Sequence, residues 1–419
     1  MTALDSTSDP VGRRPERPTV DGGMTLLAAS EHHHMHHSLQ FTEDGRFLLA
    51  GCSDGAVRVI AGASCTTLQP PPVVALTPVA PPCGPGFDEL ALTRAGHGGD
   101  VPVTCIATGG VASRAVAFSV GCGGTVAVHR VVEDASGVDL EVLTTGVEAG
   151  NETQCCDYRH EEGLGVTGGS DHVVRIYDVN AAGKTFDAPV ATLTKARDHT
   201  HGGFCDGHVN RIFTVRFVTS QVVISGGWES PIRVWDLRTG HTERILEPAA
   251  GTTEPLRLGG GTTHGLYVRH ARDSIHTGVG ASVVAGSTAR RLHVFNARTT
   301  EEETFGEGAA LTAALGATPP KVQGVAVSRR CLPAADGTPG AAEVLWVAGS
   351  EPGGLTALRP SYAAGDDAHH KPPTKVAASR VVCAAGQAPV ALAVSPVNPY
   401  IAVAAMNCGT LVAALCPSA

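Results

Sequence analysis

One stretch, "GHVNRIFTVRFVTSQVVISGGWESPIRVWDLRTGH" (residues 207–241), limits the fold more than any other. Apolar side chains recur at Phe213, Val215 and Phe217, the alternation of a strand with one face on a core. Residues 221–225 form a short apolar run, and 232–235 alternate again. Gly226-Gly227 and Glu229-Ser230 supply the turns between these strands. A fourth strand follows in "TERILE", 242–247.

The same order of strand, turn and strand returns along the chain. It is found in 39–62, in 96–130 with His129 at the place of Trp235, and in 155–180 ending in Tyr177-Asp178. It returns in 264–299 ending in Phe295-Asn296, and in weaker form in 322–358 and 390–415, which makes seven copies. With its Gly207-His208 opening and Trp235-Asp236 close, the 207–241 stretch resembles a WD40 repeat.

That resemblance implies an all-β fold, a seven-bladed WD40-type β-propeller closed by an N-terminal strand. The last copy stops one strand short of four, while 22–30 read as a strand with no repeat of their own. Completing the last blade with that strand would remove the free sheet edges. The expected organisation is a disordered tail over 1–21 and a propeller over 22–416. Insertions fall at 69–89, rich in Pro, at 194–207, rich in His, and at 363–379. A pair of β-sandwiches would share the strand content but not the recurring period.

Composition agrees. Aromatics are 4% of the chain against 51 Gly and 27 Pro, so turns are frequent and the core rests on Val, Ala, Ile and Leu. The net charge is −9, and only 5 of the 31 basic residues are Lys. No basic run exceeds Arg-Arg, so neither direct nucleic-acid binding nor a membrane surface is expected. No 18-residue apolar span and no secretory leader is read, and the 12 cysteines include no C-x-x-C pair. A reduced cytoplasmic or nuclear protein is expected.

No G-x-S-x-G, H-E-x-x-H or phosphate-binding loop occurs, and "GGGTTHG" (259–265) precedes a strand rather than a helix. No catalytic residue and no cofactor are expected. The resemblance implies a structural network of the opening His208, Ser225, the turn residue Glu229 and Trp235, with Asp54 and Asp171 at the turn position in other copies. Glu229 stands where Asp is usual and is one methylene longer.

Partner binding is expected at Asp236 and Arg238 and at Trp228. "WDLR" resembles the Trp-Asp-x-Arg motif by which WD40 receptors dock on the adaptor of cullin–RING ubiquitin ligases. Arg290-Arg291 are further anchor candidates. The expected function is a non-catalytic protein-interaction scaffold, with a ligase substrate receptor and a small-molecule-binding or enzymatic propeller as alternatives.

The run "EHHHMHH" (31–37) places His32, His34 and His36 on one face of an incoming strand, and His33 and His37 on the other. With no Cys, Asp or Glu at ligand spacing nearby in sequence, it reads as the polar entry to the first innermost strand, not as a metal site. His199, His201, Asp206, His369 and His370 read as solvated loop.

Overall fold

The computed structural model describes residues 19–21, 24–31, 33–62, 87–111, 115–180, 186, 188–197, 204–228, 230–247, 258, 266–269, 282–296, 308–333, 339–351, 353–361, 373, 375–383, 386–398 and 400–415. Two N-terminal strands, β1 (Thr19–Asp21) and β2 (Thr25–Glu31), come first. The first sheet follows as β3 (His36–Phe41), β4 (Phe47–Cys52), β5 (Val57–Ala61) and β6 (Glu89–Thr93). The second is β7 (Val103–Gly109), β8 (Val116–Gly121), β9 (Thr125–Asp134) and β10 (Gly137–Val147). The third is β11 (Thr153–Arg159), β12 (Leu164–Gly169), β13 (Val174–Asp178) and β14 (Ala191–Leu193).

The fourth sheet has six strands. A small hairpin, β15 (Lys195–Arg197) and β16 (Phe204–Asp206), joins the outer edge of β17 (Ile212–Phe217), β18 (Val222–Gly227), β19 (Ser230–Asp236) and β20 (His241–Leu246). The fifth has three described strands, β21 (Leu266–Arg269), β22 (Ser282–Ser287) and β23 (Arg291–Asn296). A short helix, α1 (Ala309–Ala314), precedes the sixth sheet. That sheet is β24 (Lys321–Pro333), β25 (Pro339–Ser350), β26 (Gly354–Ser361) and β27 (Lys375–Val382), with β1 added at its edge. The last is β28 (Pro389–Val394), β29 (Ile401–Met406) and β30 (Thr410–Leu415), with β2 antiparallel to β30.

The first strands lie side by side in sequence order around a centre, β3 against β7 and so on to β28, which returns to β3. This is a β-propeller arrangement. An apolar cluster fills each junction between neighbours, as where Phe118 of the second sheet meets Tyr158 and Tyr177 of the third. Second strands are covered on both faces, so β4 (FLLAGC) and β29 (IAVAAM) are buried throughout and read as unbroken apolar runs. Burying one Leu such as Leu48 or Leu49 is worth about 1.5–3 kcal/mol.

A shared irregularity marks the repeat where its side chains have diverged. In all six sheets of four or more strands, the register slips near the start of the innermost strand, as between His36 and Ser38, Val103 and Cys105, or Ile212 and Thr214. Such a bulge bends the strand and raises its twist.

The expectation of seven full blades is corrected to six. In the fifth sheet no fourth strand pairs with β23 among the described residues. Helix α1 packs there instead, with the Thr312 hydroxyl accepting the Leu292 N–H at 3.0 Å and Leu311 and Leu315 buried against Leu292 and Val294. The expected closure is also corrected in kind. β2 does complete the last sheet, but among the described residues no strand of one sheet pairs with a strand of the next, so the ring is not closed by strand-to-strand hydrogen bonds. Thr19–Asp21, expected within the tail, form a strand on β27.

Candidate functional site

The 207–241 blade centres on Ser225. Trp235 Nε1 donates to Ser225 Oγ at 2.7 Å, and His208 Nε2 lies 2.6 Å from the same oxygen. Indole N–H can only donate, so Ser225 Oγ accepts from Trp235, and a second hydrogen bond joins the hydroxyl to His208 Nε2. Trp235 and Ser225 are fully buried, and burial lowers the His208 pKa to about 3. This buried, neutral triad holds the strands of the blade together. Glu229, the expected fourth member, lies outside the described residues, and His208 Nδ1 has no partner among those described.

Two other blades rebuild the network with different residues. In the second, Ser119 Oγ lies 2.8 Å from His97 Nε2 and 2.7 Å from His129 Nε2, so an imidazole stands in for the indole. Burial lowers both pKa values, to about 4 for His97 and about 3 for His129. In the third, buried Glu148 accepts from Asn151, Thr153, Thr167 and Tyr177, with Arg175 Nη1 3.6 Å away. Sequence spacing missed Glu148 because it precedes its strand where a His is usual. Asp54 and Asp171 accept their own turn N–H groups, from Ala56 and Val173, and each also holds the Arg four residues after it, Arg58 and Arg175.

The surface candidates are not brought together. Trp228, 36% exposed, sits at the β18–β19 turn. Arg238 follows the other end of β19, with its side chain 70% exposed and 3.2 Å from Asp236 Oδ2. Val222 pairs with Asp236 and Gly227 with Ser230, so the hairpin separates the two by roughly 20 Å and puts them on opposite ends of the blade. Asp236 Oδ1 also accepts the Arg238 backbone N–H at 2.7 Å, which fixes the turn.

Arg290 is structural. Its Nη1 donates to the Pro319 and Glu351 carbonyls at 2.6 and 2.8 Å, tying the fifth sheet to the sixth. Arg291, at the start of β23, is exposed. Residues 198–203, 259–265 and 362–372, with His199, His201, His369 and His370, lie outside the described residues, as do 63–86 of the Pro-rich insertion. Asp206 lies on β16.

The histidine run differs from its expectation. Among the described residues, one ligand atom each from His34, His36 and Cys52 lie within 4.8 Å of one another. The thiol comes from β4, where Cys52 is the cross-strand partner of His36. The two imidazole centroids are 5.1 Å apart at 64°. His36 and Cys52 are fully buried and His34 half-buried, while His33 is exposed and His32 lies outside the described residues. Burial pushes the Cys52 thiol up to about 12, opposed by the neighbouring Arg58. His34 is lowered by its own burial and then by Arg58. Arg58 bonds both oxygens of Asp54 at 2.8 and 2.7 Å and Glu89 at 2.9 Å. The ligand spacing was invisible in sequence because antiparallel pairing supplies the third donor.

No family model matches the chain. A 58-residue stretch, 14% of the chain, is 31% identical to protein tipD of Dictyostelium discoideum, a WD-repeat protein. The match spans a tenth of that protein's length. No described helix is long and apolar enough to cross a membrane.

Proposed function

We propose that this protein is a non-catalytic interaction scaffold, a platform within a multi-protein complex. The observation that carries the reading is the placement of two anchors of the kind that dominate interfaces, Trp228 and Arg238, on opposite ends of the most regular blade. Packed sheets hold those ends at a fixed separation, so two partners can be engaged without competing for one surface. The polar clusters of the second, third and fourth sheets are spent on internal hydrogen bonds, which leaves them no role on a substrate. The propeller arrangement and the short likeness to a WD-repeat protein are compatible with this role. The described cysteines carry free thiols, in keeping with a reducing cytoplasmic or nuclear setting.

A second reading, a cullin–RING substrate receptor, is favoured by one feature. Arg238 follows Trp235-Asp236 on a turn that Asp236 fixes, with a guanidinium exposed for charge-assisted bonds to an adaptor. Affinity purification with mass spectrometry, wild type against Arg238→Ala, tests both. Partners common to both samples support the scaffold; loss of a ligase adaptor alone in the variant promotes the receptor; no partner in either sample contradicts both.

A further inference from the structure

We propose that His34, His36 and Cys52 form a binding site for a single thiophilic cation, Zn2+ or Cu+. Two imidazole nitrogens and one sulfur within 4.8 Å of one another suit such ions and are a poor set for Mg2+ or Ca2+, which prefer oxygen. A tetrahedral Zn2+ with bonds of about 2.0–2.3 Å separates its ligand atoms by roughly 3.3–3.6 Å, so the three donors close on the ion by small side-chain rotations.

The donors are also held in place. His36 and Cys52 are paired across β3 and β4. The chain at His34 is pinned by Met35 N–H on Ser53 Oγ at 3.0 Å and by Ser53 N–H on the Met35 carbonyl at 2.8 Å. Half-buried His34 leaves one side of the cluster toward solvent, where water would complete a fourth position. On binding, the Cys52 S–H proton passes to solvent and the sulfur bonds the metal; no electron is transferred. Arg58, fixed by Asp54 and Glu89, places its positive charge beside Cys52 and so favours the thiolate.

The test uses the full chain, stripped of metal by chelation and kept reduced. Co2+, as a reporter for Zn2+, is titrated by absorbance, and Cu+ is titrated without oxygen against a coloured Cu+ chelator. One equivalent of one ion is expected, with a sulfur-to-cobalt charge-transfer band in the Co2+ arm if the site is of the Zn2+ type. Cys52→Ser should abolish that band. His34→Asn, at a half-buried position, should weaken binding by more than about a hundredfold, beyond what loss of a residue that only supports a ligand costs, with apoprotein melting unchanged. His33→Ala should bind as wild type. Failure to bind either ion at one equivalent overturns the proposal. So does binding that survives both Cys52→Ser and His34→Asn but is lost in His33→Ala, which would be capture by the exposed run alone.

Discussion

Trp235 Nε1 donates to Ser225 Oγ at 2.7 Å inside the fourth sheet, with the indole fully buried. The same oxygen satisfies His208, so one hydroxyl serves two buried groups. Ser225→Ala is therefore expected to destabilise the protein by about 2–4 kcal/mol, since it leaves an indole N–H and an imidazole nitrogen without a partner. Denaturant midpoints compared with wild type check this; a loss under about 0.5 kcal/mol would show that the triad is idle.

The third sheet makes a different demand. Glu148→Gln removes the charge that gathers four donors and faces Arg175, and places an amide N–H₂ among them. A loss of about 3–5 kcal/mol is expected, as for breaking a buried ion pair. Tyr177→Phe, which deletes one donor only, should cost about 1–2 kcal/mol. Thermal melting of the two variants ranks them, and equal effects would contradict the charge-centred account.

Three buried histidines make stability depend on pH. His97, His129 and His208 titrate near 4, 3 and 3 in the fold, against about 6.5 in the unfolded chain. Between those values the unfolded state binds protons that the native state refuses, so stability is full above pH 6.5 and falls as pH drops. Each histidine contributes a slope of about 1.4 kcal/mol per pH unit. Asp157 opposes part of this, because burial raises its carboxyl pKa and the native state takes up that proton more readily than the unfolded chain. Urea midpoints at pH 7.5, 6 and 5 should fall steadily, and a flat series would contradict neutral burial.

Trp228 and Arg238 should be separable. Each single alanine variant is expected to keep stability within about 0.5 kcal/mol of wild type. Because the two residues sit on opposite ends of one hairpin, each variant should lose a different subset of co-purifying proteins. Loss of the same subset by both would mean that one surface carries all binding.

Period-two alternation and turn glycines made the strands legible, and the blade of His208 and Trp235 could be read almost side chain by side chain. Blades that swap chemistry hid themselves. Glu148 carries the work of a His in the third sheet, a swap not evident until the strands are paired, whereas His129 was legible in sequence at the place of the Trp in the second. The blade count erred at β23, where a helix supplies Thr312 in place of a ladder, because the apolar residues of 309–315 carry no strand period. The three-donor cluster was missed for a related reason. His36 and Cys52 are neighbours only across the ladder. Arg290, taken as a surface anchor, turned out to be spent on two carbonyls of the next sheet.

A platform inside an assembly travels with its partners, so its native size exceeds that of the free chain. Cell extract is fractionated by size and the protein followed by immunoblot, for wild type and for the Trp228→Ala/Arg238→Ala double variant. Wild type should elute well above its monomer mass of 42.8 kDa, and the folded double variant should move toward it. A wild-type protein that elutes as a 42.8 kDa monomer would contradict the account.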